Sequence, residues 1–137
     1  MTTNKDRITD YLRLSLSEME LVEQMTKPIQ DPNDFVTGLE GMTIFRACSM
    51  SLQYITENYV KIRNKVPETF FASYKQVPWH SVFGMRNKLV HEYVDIDEEA
   101  VFNTIREDLP ILKSTTMLII KDLESGKLDD YFLEDGE

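Results

Sequence analysis

An all-α fold, an up-and-down four-helix bundle with a kinked last helix, is what this sequence of 137 residues predicts. Three observations carry the prediction. Apolar residues recur at intervals of three and four rather than two, the breakers are few, with five Gly and five Pro, and most of them fall between the apolar stripes rather than within them. Helices of that kind must bury one face, and four of them joined by short connections do so against one another. Two stretches that would suit strands in isolation, Tyr54-Ile55 and Met117 to Ile120, sit inside longer helical patterns.

The first helix is expected from Asp6 to about Thr26, with Ile8, Tyr11, Leu12, Leu16, Met19 and Val22 on one stripe and Pro28 ending it. Asp31 then offers a cap with Pro32 at a first helical position, ahead of Phe35, Leu39, Met42, Phe45, Leu52, Ile55, Tyr59 and Ile62. Unbroken from 32 to 65, that segment would reach about 50 Å, too long for a chain of this size, so a break is expected near Gly38 or Gly41. Pro67 and Pro78 bracket a connection holding Phe70, Phe71 and Tyr74, with room for one short helical turn. A third helix starts at Pro78-Trp79 and runs through Val82, Met85 and Leu89 to His91. Asp95 and Glu98 resemble a capping box for the last helix, whose stripe is Phe102, Ile105, Leu109, Leu112, Ile119 and Leu123 and which Pro110 should kink. Gly126 is the expected stop, so residues 1–126 form one domain and 127–137 an acidic tail expected to fray.

Composition narrows the function. With 24 acidic against 15 basic residues the net charge is -9, which argues against indiscriminate binding to nucleic acid or to anionic membranes. A single cysteine, Cys48, excludes an intrachain disulfide and cysteine-rich zinc sites. No apolar run approaches a membrane span and the start is polar, so a cytoplasmic protein with no membrane partner is expected. The charge is uneven, however. Residues 61–91 hold Lys61, Arg63, Lys65, Lys75, Arg86 and Lys88 against the one acid Glu68, together with both histidines, His80 and His91. Either these cations pair with acids across the bundle, or they form a local phosphate-binding patch suited to a positioned RNA or nucleotide.

Within that window Gly84-Met85-Arg86-Asn87-Lys88-Leu89-Val90-His91-Glu92-Tyr93 places Arg, His and Tyr in the order Arg-x4-His-x-Tyr. On a regular helix Asn87 and His91 share a face, whereas Arg86 and His91 lie about 140° apart around the axis and about 7.5 Å along it. They converge on one phosphate only if the helix loosens near 90–92 or the arginine folds around Asn87. The residue types suit metal-free RNA cleavage. A ribose 2′-hydroxyl must lose a proton, the phosphate gains charge, and the leaving 5′-oxygen must gain a proton. Histidine serves either transfer near neutral pH, and arginine offers a fork of donors to phosphate oxygens. Each chain has one such histidine, and a symmetric homodimer would bring two to one cleft. No Ser-His-Asp order, glycine-rich phosphate loop or His-x3-His spacing competes, so neither a metal nor a cofactor is expected.

At these residues the chain resembles the HepT-like group of the HEPN (higher eukaryote and prokaryote nucleotide-binding) superfamily. The resemblance runs over about residues 74–112, through Tyr74 to Trp79, Gly84 to Tyr93 and Glu107-Asp108-Leu109-Pro110. It implies a homodimeric four-helix bundle with the motifs facing a shared cleft, and a ribonuclease toxin encoded beside a minimal nucleotidyltransferase antitoxin. Carried over, Arg86 and His91 are the catalytic pair, Asn87 is a polar neighbour that orients them, and Tyr93 is the residue the antitoxin modifies with AMP. Lys75 and Lys88 are candidate RNA contacts. Two other readings stay open: a non-catalytic helical module that binds a nucleotidyltransferase or a nucleotide, and a plain dimerisation bundle. Taken alone, His91 suits a helix end, Arg86 a salt bridge, and Trp79 a packing anchor.

Overall fold

The computed structural model describes residues 2–91 and 96–133, and among these the chain is all-helical, with no strand. Helix α1 (Asn4–Met25) opens on a capping box in which the Asp6 amide donates to Thr3 Oγ1 at 3.1 Å and the Thr3 amide to Asp6 Oδ2 at 3.3 Å. Its buried stripe is Ile8, Leu12, Ser15, Met19 and Val22, while Tyr11 and Leu16 lie half-buried at its edges. Ser15 is tolerated at the centre because Asn58 Nδ2 donates to its hydroxyl at 3.1 Å.

The long second segment breaks at Gly38, as its length required. A 3₁₀ turn, Pro32–Phe35, is capped by Asp31, whose carboxylate accepts from the Asn33 amide at 2.9 Å. Gly38 then turns the chain with φ of 79°, a conformation that suits glycine, into α2 (Gly38–Arg63). Gly41 has a separate role. A Cβ there would stand 1.9 Å from the Asp34 carbonyl oxygen, so the absence of a side chain lets the turn lie against the helix. This contact corrects the expected stripe. Phe35, Gly41, Cys48 and Leu52 are buried, whereas Leu39 (82% exposed) and Met42 (43%) face solvent. From Ile55 to Ile62, by contrast, only Glu57 and Lys61 escape burial.

The connection forms one short helix, α3 (Glu68–Ala72), burying Phe70 and Phe71. Helix α4 (Trp79–His91) begins after Pro78, and its buried anchors are Val82 and Leu89. Trp79 is the packing anchor of this corner: its ring lies 4.5 Å from Phe71 and 5.4 Å from Tyr59, and its Nε1 donates to the Tyr74 carbonyl at 2.9 Å.

The last segment is α5 (Glu98–Asn103), a π turn over Thr104–Asp108, and α6 (Leu109–Glu124). Its cap is Asp97, which accepts from the Glu99 amide at 3.0 Å, rather than Asp95, which lies outside the described residues. A π turn stands just ahead of Pro110, where a kink is expected, and widening the coil there relieves the carbonyl that the proline ring would meet. It also corrects the stripe by one position. The expected stripe begins at Phe102, three before Ile105, but the buried residues are Val101, Ile105 and Leu109, in steps of four, and then Leu112, Thr116, Ile119 and Leu123. Gly126, with φ of 84°, ends α6 as expected, with the Lys127 amide on the Asp122 carbonyl and the Gly126 amide on that of Leu123. Residues 127–133, expected to fray, instead pack: Leu128 and Phe132 are buried, the Tyr131 ring lies 5.3 Å from Phe70, and Lys5 Nζ meets Asp129 at 2.8 Å. Residues 134–137 lie outside the described part.

Helix α2 is the hub, packed on α1 and α4, while α1 also packs on α6. Polar ties reinforce that arrangement. Tyr59 and Thr116 share a hydrogen bond between α2 and α6, and the buried Tyr74 hydroxyl donates to Asp122 at 2.7 Å. Burial pushes both phenols above their ordinary pKa, and for Tyr74 the Asp122 carboxylate adds to the effect.

Candidate active site

The register of α4 decides where its arginine goes. Val82 and Leu89 are buried against the core, and Arg86, four residues after one and three before the other, falls on the same stripe. Its guanidinium therefore emerges beside α2, where Nε donates to Glu57 Oε2 at 2.9 Å. Nη1 donates to Asn87 Oδ1 at 3.1 Å, which turns the guanidinium towards the face that Asn87 shares with His91. The arginine and glutamate side chains are 27% and 36% exposed, neither sealed nor free in water.

His91 is the last residue of α4 and is exposed. The coil stays α-helical up to it, and Arg86 bonds to the side chain of Asn87. Tyr93 and Glu92 lie outside the described residues. Asn87, Lys88 and Lys75 are all exposed.

Among the described residues, Arg86 is the one cation of the 61–91 window in an ion pair. Lys61 and Arg63 lie over rings instead, 5.5 Å from Tyr11 and 4.2 Å from Phe83. The acids elsewhere take other partners: Glu23 pairs with Lys113 at 2.9 Å, and Glu124 with Arg13. Pairing across the helices thus accounts for Arg86 but not for Lys65, Lys75 and Lys88, which are in no ion pair among the described residues. Cys48 is fully buried and its thiol is pushed up to about 11 by that burial, which makes it an inert core residue. A groove of about 630 Å³ runs beside the end of α4, lined by Met42, Phe45, Met50, Leu89 and Ile96.

Glu57 is the residue that sequence reasoning missed. Its carboxylate was one of nine acids in residues 1–60. The available signal was the narrow polar edge of α2, where Glu57 and Lys61, four apart, interrupt an otherwise buried run.

An all-helical chain carrying Arg-x4-His on one helix, with its arginine fork part-exposed and its histidine at the helix end, defines the class of protein. The family described as ribonuclease HepT-like matches residues 15–119, and the chain belongs to it. It is 29% identical over 104 residues to "Probable ribonuclease HepT" of Thermococcus cleftensis, covering 76% of this chain and 87% of that one. It is 32% identical over 111 residues to "Putative RNase TTE0752" of Caldanaerobacter subterraneus subsp. tengcongensis, covering 81% and 92%. A protein of Methanocaldococcus jannaschii, "Putative RNase MJ0125", is 30% identical over 120 residues, covering 88% and 97%. No solved structure matches the chain. No helix among the described residues is long and apolar enough to cross a membrane.

Proposed function

We propose that this chain is a metal-independent endoribonuclease that works as a homodimer of four-helix bundles, with Arg86 and His91 at a shared cleft. The observation that carries the reading is the motif itself, in a chain of the ribonuclease HepT-like family: a part-exposed arginine fork and an exposed histidine on one helix. The names borne by the relatives support the same activity.

In this reaction His91 takes the proton of a ribose 2′-hydroxyl. The 2′-oxygen forms a bond to phosphorus, the bond from phosphorus to the 5′-oxygen breaks, and His91 of the partner subunit gives that oxygen its proton. The two products are a 2′,3′-cyclic phosphate and a 5′-hydroxyl. Arg86 donates to the phosphate oxygens as their charge grows. Two chains are needed because each supplies one such histidine, and the reaction asks for a base and an acid together. Lys75 and Lys88 guide the RNA strand. The chain is the toxin of a pair whose antitoxin is a minimal nucleotidyltransferase, and AMP added to Tyr93 blocks the cleft by bulk and by negative charge. The alternative, a non-catalytic module binding a nucleotide or a nucleotidyltransferase, draws on the fact that Glu57 already balances the charge of Arg86.

Purified dimer is expected to cut labelled RNA in the presence of chelator and leave cyclic phosphate ends, with His91→Ala losing about 100-fold or more. Equal cutting by His91→Ala would end the catalytic reading, and an absence of turnover with retained ligand binding would favour the module. Incubation with the nucleotidyltransferase and ATP should add one AMP, which Tyr93→Phe abolishes.

A further inference from the structure

Arg86 does not swing freely. Glu57 projects from the stretch of α2 that is held most tightly: Ile55, Tyr59 and Ile62 are fully buried on either side of it, and its neighbour Asn58 bonds to Ser15. Arg86 projects from α4 between two buried anchors, Val82 and Leu89. The carboxylate meets Nε at 2.9 Å, on the inner edge of the guanidinium, and Asn87 Oδ1 meets Nη1 at 3.1 Å. A guanidinium carries five N–H donors. Two are used in these contacts, and three are left for phosphate oxygens, both N–H groups of Nη2 among them.

We infer that Glu57 is a positioning residue for Arg86, holding the guanidinium by Nε so that its remaining Nη donors are presented to the RNA phosphate, with Asn87 as the second constraint. The role rests on the nuclease reading above. A long, flexible side chain must lose rotamer freedom to bind a phosphate in one orientation, and an acceptor fixed on α2 takes that loss in advance, during folding. The acid also offsets the charge of Arg86. Its benefit therefore lies in orientation at the transition state rather than in attraction of RNA, and it belongs in kcat more than in KM.

The test compares the full-length protein with Glu57→Ala, Glu57→Gln, Glu57→Asp and Arg86→Ala, on a single-stranded RNA carrying a fluorophore and a quencher. The nitrogen-15 resonance of the Arg86 Nε–H is followed in parallel. Glu57→Ala is expected to lower kcat about tenfold with KM within about threefold, and its Nε–H resonance should move to the position of a solvated arginine. Glu57→Gln keeps a carbonyl that accepts from Nε and should recover most of the rate and the resonance. Glu57→Asp keeps the charge but not the reach, and should behave like Glu57→Ala; it carries the comparison if the alanine variant does not fold. Unchanged kcat and an unmoved resonance in both Glu57→Ala and Glu57→Asp would overturn the role. A faster or tighter-binding Glu57→Ala would also overturn it, since the acid would then compete with phosphate. Full activity in Arg86→Ala, or no cleavage by the unaltered protein, sinks the nuclease reading and this role with it, even where the resonance still reports the contact.

Discussion

Among the described residues two arginine–glutamate pairs join helices, and they differ in nearly everything except composition. Arg13 of α1 and Glu124 at the end of α6 meet with both side chains more than half exposed, at 57% and 56%. Arg86 and Glu57 meet between α4 and α2 with most of each side chain covered, and Asn87 adds a second contact. Water and salt screen the first pair, so it holds little energy and fixes little geometry. In the second, the helix register sets both partners and leaves three of the arginine's donors unused. A motif residue is thus distinguished from a surface arginine by what holds it and by which of its donors remain unused.

The comparison would break most visibly in catalysis. Arg86→Ala should reduce RNA cleavage about 100-fold or more, while Arg13→Ala stays within about twofold, both read by initial rates on one substrate. Equal losses would mean that the two arginines differ only in name. Next in size is the fully buried limit of the same series. Tyr74→Phe removes the hydroxyl that donates to Asp122 at 2.7 Å, and the buried carboxylate then lacks that donor. Unfolding in urea should show a loss of about 1–3 kcal/mol. A smaller effect is expected at Asp108, a half-buried acid with no cation in an ion pair with it among the described residues. Burial, and then Glu107, raise its pKa above the usual 3.8. Below 3.8 the group is protonated in both the folded and unfolded states and contributes nothing. As pH rises through the folded value, the folded state must ionise it in a poor environment and stability falls. Asp108→Asn should therefore stabilise the protein at neutral pH, with the gain disappearing near pH 3, as thermal melts across pH would show. Smallest of all, a double-mutant cycle on Arg13 and Glu124 should return about 0.5 kcal/mol or less, and should vanish in molar salt.

Much of this was legible in the sequence, and the failures have definite causes. The break at Gly38, the start of α4 after Pro78 and the stop at Gly126 follow from backbone preferences that need no tertiary information. The stripe through Leu39 and Met42 fails because Gly41, with no side chain to count, is what touches the 32–35 turn. Steps of three and of four both lie on one helical face, so the sequence alone does not separate Phe102 from Val101 ahead of Ile105. The packing of Leu128 and Phe132 was hidden by the acids around them. At the site, the motif gave Arg86, Asn87 and His91, but Glu57 lies 29 residues before its partner, and no local pattern announces a contact between two helices.

The wide turn ahead of Pro110 has a consequence for how this chain tolerates changes in length. Elsewhere in a helix, loss of one residue rotates all that follows by about 100°. Between Thr104 and Asp108 the backbone carries one residue more than an α-helix needs, so removing one there, with Pro110 exchanged for alanine, leaves an ordinary coil whose later side chains return to their own neighbours. Thr116 would still find Tyr59, and Asp122 would still find Tyr74. This spot can absorb a deletion that would scramble the bundle if made a few positions further on.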